Sequence, residues 1–352
     1  MRLLITGGAG FIGSSLAVAL AERHSDWELL AADNLYRPGS ELNLPRLERS
    51  GVRFRQIDVR ERAALAGLGQ FDAIVEAAAE PAVGADRKPG GRELMVDTNL
   101  GGAHNCLELA ARSGAHFIAL SSSRVYPLAP LRELALVERV DRFELAGEQQ
   151  VEGVSELGIS EAFPLAGART LYGASKLAAE LLAREYEESV GVPVTVNRCG
   201  VVAGPWQMAT SDQGVFAHWA LSFCLNRELS YIGWGGEGLQ VRDVLHVDDL
   251  VDLLEAQLLD PGHWSGVTVN VGGGTEVSLS LREATALCSE LTGKDPIIGS
   301  DPETRPGDIP FYVSDCSRLH ALTDWRPQRN AREVIADTIE WIGSERSLAS
   351  VL

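Results

Sequence analysis

Cysteine is scarce in this chain and never paired. Its 352 residues hold five, at positions 106, 199, 224, 288 and 316, an odd number without the spacing of a disulfide framework or a metal knuckle. Their apolar settings read as reduced, buried thiols, which suits a cytoplasmic protein and implies no metal site. Basic residues are also short: 31 Lys and Arg against 49 Asp and Glu leave a net charge of −18. That balance argues against nucleic acid or an anionic membrane as a partner, and any anionic ligand must be held by local arginines against the global field. No apolar run is long enough to span a bilayer, and a first strand expected from residue 2 leaves no room for a signal peptide. Internal repeats and low-complexity tracts are absent too.

Glycine is what the chain has at its start. An apolar run at residues 3–5 breaks into Gly7, Gly8, Gly10 and Gly13, and residues 14–23 read as the helix that follows. Glycines between a buried strand and a helix let the backbone come into contact with a pyrophosphate, which then sits on the free N–H groups of the helix start. Asp33 follows Gly13 by twenty residues, at the end of a second strand expected over 28–32. A carboxylate there accepts both hydroxyls of an adenosine ribose and repels a 2′-phosphate, which favours NAD over NADP, while Arg37 nearby would soften the repulsion.

Strand and helix signals then alternate: strands at 52–57 and 73–78, an amphipathic helix at 99–113, and a strand at 116–121. A helix at 171–190 and a strand at 194–198 continue the series, which predicts an α/β fold with a doubly wound parallel sheet. Residues 127–169 are polar, acidic and irregular, and are expected to hold short helices. We place a dinucleotide-binding domain over 1–203 and a smaller lobe over 204–352, with segments at about 244–271 returning to the main domain.

Tyr172-Gly-Ala-Ser-Lys176 sets a phenol and an ammonium four apart on one helix face. The cation favours the phenolate and is expected to lower the phenol pKa, so the tyrosine can take a hydroxyl proton while hydride leaves the same carbon. A surface pair would show the same spacing. Ser121-Ser122-Ser123-Arg124-Val125-Tyr126 closes a strand whose carboxyl end faces the cofactor cleft, where a serine hydroxyl can polarise a substrate hydroxyl. A serine-rich turn is the plainer alternative for Ser121 and Ser123.

The glycine run 7–13, the Ser-Ser-Ser-Arg-Val-Tyr126 segment and the Tyr172/Lys176 pair together resemble the extended short-chain dehydrogenase/reductases, the NAD-dependent nucleotide-sugar epimerases and dehydratases. The resemblance runs from the first strand to about Trp341. It implies a Rossmann-type sheet, an NAD cofactor, a nucleotide-diphosphate sugar as ligand, and a homodimer built on two helices. It makes Ser122, four residues before Tyr126, the catalytic hydroxyl, with Tyr172 the base and Lys176 its partner. It assigns cofactor contacts to Gly7, Gly10, Phe11, Ile12, Gly13, Asp33, Asn34, Asp58, Val59 and Ala78, and gives Asn99 the ordering of the active-site strands. Leu177, Leu181 and Leu182 would serve the dimer or, equally, the core.

In the C-terminal half, Gln240-Val-Arg-Asp-Val-Leu-His246 resembles the segment whose arginine, here Arg242, grips a pyrophosphate, and Arg305-Pro-Gly-Asp308 a second nucleotide site. Planar guanidinium forks suit a diphosphate, although surface ion pairs would read the same way. Asp212-Gln213-Gly214 after Gly204-Pro-Trp-Gln207 resembles the CDP-tyvelose (CDP-paratose) 2-epimerase branch, and Gln213 is taken as a sugar contact. The chain also departs from the family. Glu76 replaces a common histidine in Glu76-Ala-Ala-Ala79, Glu80 follows near the sugar pocket, and Ala203 stands where a tyrosine is usual. The family's dehydratases carry an Asp-Glu pair directly after the catalytic hydroxyl. Ser123 and Arg124 stand there, so elimination lacks its acid and base, and both are candidate sugar contacts with Glu80. The reading is therefore epimerisation through a transient keto-sugar, at C2 of a CDP-sugar or at C4 of another nucleotide sugar. A non-catalytic NAD(P)-binding protein is the rival from another class.

Overall fold

Leu3, Leu4 and Ile5 are apolar on both faces of their strand because helices cover both faces of the sheet they enter. In a computed structural model of the chain, which describes residues 1–210 and 213–345, all three are fully buried. The central sheet has seven parallel strands: β1 (Arg2–Thr6), β2 (Glu28–Asp33), β3 (Arg53–Gln56), β4 (Ala73–Glu76), β5 (His116–Ser122), β6 (Val194–Cys199) and β7 (Val267–Val271), in the order β7-β6-β5-β4-β1-β2-β3. The order reverses between β1 and β4. At such a switch point the connecting loops part and leave a crevice at the carboxyl ends of the strands.

Helix α1 (Phe11–Arg23) packs on one face of the sheet with α4 (Val247–Leu259), joining Leu16 and Leu20 to Leu250, Leu253 and Leu254. On the other face α2 (Ala103–Ser113) and α3 (Leu171–Val190) cover Leu4, Ile74, Phe117 and Val194. A second, smaller sheet joins Val201–Ala203, Val241–His246, Ser278–Ser280 and Phe311–Tyr312. The segment 244–271 is thus divided. Residues 244–246 belong to the small sheet, while α4 and β7 lie on and in the central one.

Two expectations need correction. Residues 127–169 form one short helix, Leu128–Arg132, and two small hairpins, Leu136–Glu138 with Phe143–Leu145 and Val154–Ser155 with Gly158–Ile159. Strands of two or three residues are too short to show a period of two. The helix expected over 99–113 begins earlier, at Gly91–Val96, and passes through a widened π-helical stretch, Asp97–Gly102, that contains Asn99. Among the described residues no helix is long and apolar enough to cross a membrane.

Candidate active site

At the switch point the glycines are demanded by contact. A Cβ on Gly13 would lie 2.2 Å from the Gly7 carbonyl oxygen, and one on Gly7, whose φ is +64°, would lie 2.6 Å from the Ala77 carbonyl. The loop after β1 therefore packs directly on the chain leaving β4, beside Ala78, whose N–H donates to Thr6 Oγ1 at 3.4 Å. The N-terminus of α1, from Phe11 and Ile12 onward, carries no side-chain cap and no acidic residue in its first turn. That bare N-terminal turn and glycine cradle fit a pyrophosphate. Asp33 stands alongside, accepting from Ala9 N–H at 3.2 Å and Leu35 N–H at 2.8 Å. Burial raises its pKa, and the backbone donors pull it back. Arg37 donates to the Met208 carbonyl at 3.4 Å.

Asn34 donates to Asp58 at 3.0 Å, and Arg60 grips the same carboxylate with Nε at 2.9 Å and Nη2 at 2.7 Å. Those contacts, Arg60 foremost, hold the Asp58 pKa well below the usual carboxylate range. Val59 is buried against Gly102, where a Cβ would come within 2.6 Å of Val59 Cγ2. These residues line one side of the crevice and fit the adenine end of a dinucleotide.

The candidate reactive groups lie on the other side. Thr170 caps α3, its Oγ1 accepting from Gly173 N–H at 3.1 Å, which starts the helix just ahead of Tyr172. The Tyr172 phenol lies beside Ser122 at the end of β5 and close to Lys176. Ser122 Oγ also accepts from Arg124 N–H at 3.2 Å, while Ser123 directs its carbonyl to Tyr126 N–H. The lowered phenol pKa expected from the Tyr172/Lys176 pair is not what the geometry gives. Burial has the larger influence and pushes the phenol up, while Lys176 and the Ser122 hydrogen bond draw it down. Asn99 ties this helix to the chain after β4. Its Oδ1 accepts from Glu80 N–H at 2.8 Å, and its Nδ2 donates to Ser175 Oγ at 3.0 Å. Glu80 folds its own carboxylate back onto Ala82 N–H at 3.1 Å.

Over the site lies the segment bearing Arg305. Arg242 donates to Asp308 Oδ1 at 2.9 Å and to the Ile309 carbonyl at 2.7 Å, and Arg124 donates to the Gly307 carbonyl at 3.0 Å. Burial lowers the Arg242 pKa to about 10, with Asp308 opposing. Arg242 and the Arg305–Asp308 loop are thus brought together, and Arg124 joins them from the catalytic side. Gln213 exchanges backbone bonds with Thr210, at 2.9 and 3.1 Å. Its motif partner Asp212 lies outside the described residues. Of the three leucines on α3, Leu177 is buried, Leu182 packs on the core and Leu181 is exposed at 64%.

Sequence reasoning missed two buried ion pairs. Arg198 on β6 holds Glu180 on α3 through Nη2 at 2.8 Å, and Ser121 donates to the same carboxylate. Lys176 Nζ lies 3.3 Å from Glu76 Oε2, with the two side chains only 3% and 2% exposed. The one signal for the second pair was a charged residue ending the apolar strand Ala73–Glu76.

A glycine cradle at a parallel-sheet switch point and a Ser/Tyr/Lys cluster facing it define a dinucleotide-dependent enzyme. The chain belongs to the NAD dependent epimerase/dehydratase family, whose model matches residues 3–272. It is 29% identical to a CDP-paratose 2-epimerase of Salmonella typhi, over 98% of this chain and the whole of that protein. It is 31% identical to a dTDP-glucose 4,6-dehydratase of Streptomyces antibioticus, over 99% of this chain and 94% of that one. Its fold matches a Bacillus cereus UDP-glucuronic acid 4-epimerase, solved with UDP-glucuronic acid and NAD, with a TM-score of 0.80, 23% identity, and coverage of 97% of this chain and 99% of that one. The protein is an NAD-dependent enzyme of nucleotide-sugar chemistry.

Proposed function

We propose that the protein inverts C2 of a CDP-linked sugar through a transient ketone. The observation that carries the reading is the Ser122–Tyr172–Lys176 cluster with Ser123 and Arg124 directly beside it, where an elimination would need an acid and a base. Likeness to the CDP-paratose 2-epimerase supports the choice of carbon and of base. NAD, when bound on Gly7, Gly10, Gly13 and Asp33, supplies the hydride acceptor and, on the return, the donor. Ser122 hydrogen-bonds the reacting hydroxyl, and Tyr172, whose phenolate the Lys176 ammonium favours against the pull of burial, takes its proton as the C–H hydride departs. The ketone turns within the pocket, hydride returns to its opposite face, and Tyr172 gives the proton back. Substrate and product are isomers, and the site ends each cycle as it began.

Arg242 and Arg305 hold the diphosphate, while Arg124, Ser123, Glu80 and Gln213 surround the sugar. The enzyme works as a homodimer through α2 and α3, with Leu181 at the contact. The test is incubation of the purified protein with CDP-, UDP-, GDP- and dTDP-sugars, read by proton NMR. A C2-inverted isomer of unchanged mass, best with a CDP-sugar and lost in Tyr172→Phe, is expected. Inversion at C4 would keep the mechanism and change the substrate class, and loss of water would overturn the argument from Ser123 and Arg124. No turnover would favour a binding protein.

A further inference from the structure

Glu76 ends β4 in register with Thr6 on β1 and Ala119 on β5, in the middle of the central sheet and at the floor of the crevice. A carboxylate so placed is costly unless paired. Its partner is Lys176, 100 residues along the chain, at 3.3 Å. We propose that Glu76 is a positioning residue for the catalytic pair, anchoring the Lys176 ammonium beneath Tyr172 and keeping it charged. The inference rests on Tyr172 and Lys176 carrying the chemistry set out above.

A lysine buried to this degree sheds its proton readily, because desolvation penalises the charged form. The groups facing Lys176 are few. Glu76 reaches it from β4, while Tyr172 and Glu180 share its helix. Cys199 on β6 and Cys106 on α2 also feel its charge, but burial pushes both thiols up, Cys199 to about 12, so they stay neutral. Burial alone would depress Lys176. Glu76, then Tyr172 and Glu180, outweigh it and lift the ammonium above its ordinary value. Burial in turn raises the Glu76 pKa, and Lys176 offsets only part of that rise. Glu76 is the group in direct ion-pair contact, so the protonation of Lys176 depends first on it.

The chain makes this directly measurable, because its lysines are Lys88, Lys176 and Lys294, and the other two are exposed. Protein labelled with [ε-13C]lysine would give few Cε signals, with that of Lys176 assigned by its loss in Lys176→Arg. The expected result is a Lys176 midpoint that falls in Glu76→Gln by about one unit or more. Glu76→Asp should recover part of the shift. Glu76→His, which brings in the histidine of the resembling family, should fall as Gln does and guards against a variant that fails to fold. An unchanged Lys176 midpoint in folded Glu76→Gln or Glu76→His would overturn the inference. The readout needs no turnover, so the two claims fail separately. A shifted midpoint in a protein that converts no nucleotide sugar retires the epimerase reading alone. An unshifted midpoint in an active epimerase retires the role of Glu76 alone.

Discussion

His116 shows how a single buried group writes itself into the stability of the whole. Its Nε2 faces Thr195 Oγ1 at 2.8 Å, and that hydroxyl donates onward to the Trp264 carbonyl at 2.8 Å, so Nε2 must carry the hydrogen. Nδ1 has no partner among the described residues, so a second proton there would be buried and unpaired. Burial accordingly lowers the imidazole pKa to about 4, with Glu187 opposing. A base depressed by folding is bound by protons more tightly in the unfolded chain. Its contribution is therefore complete above about pH 6.5 and is lost as pH falls towards 4, by about 3 kcal/mol. Urea midpoints taken between pH 4 and 7 should show this acid-side slope, and His116→Asn should flatten it. A slope that survives the substitution would assign it elsewhere. The candidates Ser122, Tyr172 and Lys176 were visible in the sequence because each lies within a short local motif. The Glu76–Lys176 and Glu180–Arg198 pairs were not, because each joins a strand to a helix through the fold.

Helix α3 carries two of the three groups proposed to react, and its start decides where they stand. Thr170 Oγ1 caps Gly173 N–H, and Asn99 reaches Ser175 from the neighbouring π-helical stretch, so the first turn is held at two points. Thr170→Ala should cost about 1 kcal/mol of unfolding free energy and lower turnover more than it raises KM, while Thr170→Ser should recover both. Unfolding curves with matched kinetics would check this, and an unchanged stability would contradict the cap. The long parallel strands were legible as continuous apolar runs, and α3 as an unbroken helical period. The hairpins within 127–169 were not, since their pairing is set by contacts with the C-terminal lobe, such as Phe143 N–H to the Leu239 carbonyl at 2.9 Å.

At the scale of the molecule, an acidic protein of net charge −18 has to concentrate arginines in one place if it is to bind an anionic ligand. Arg124 comes from the central sheet side and Arg242 from the small sheet, and the Gly307–Asp308 loop joins them across the crevice. A substrate held by those arginines would lie between the cofactor cradle and the small sheet, and the proposed reaction turns on one event, oxidation of a sugar carbon followed by return of the same hydride. The most direct measurement uses a CDP-sugar deuterated at C2, incubated with the enzyme in ordinary water, with the product read by NMR and mass spectrometry. The expected product is an inverted C2 that keeps its deuterium, at unchanged mass. Deuterium lost to solvent from an inverted C2 would contradict it, because the carbon would then have exchanged a proton and not a hydride.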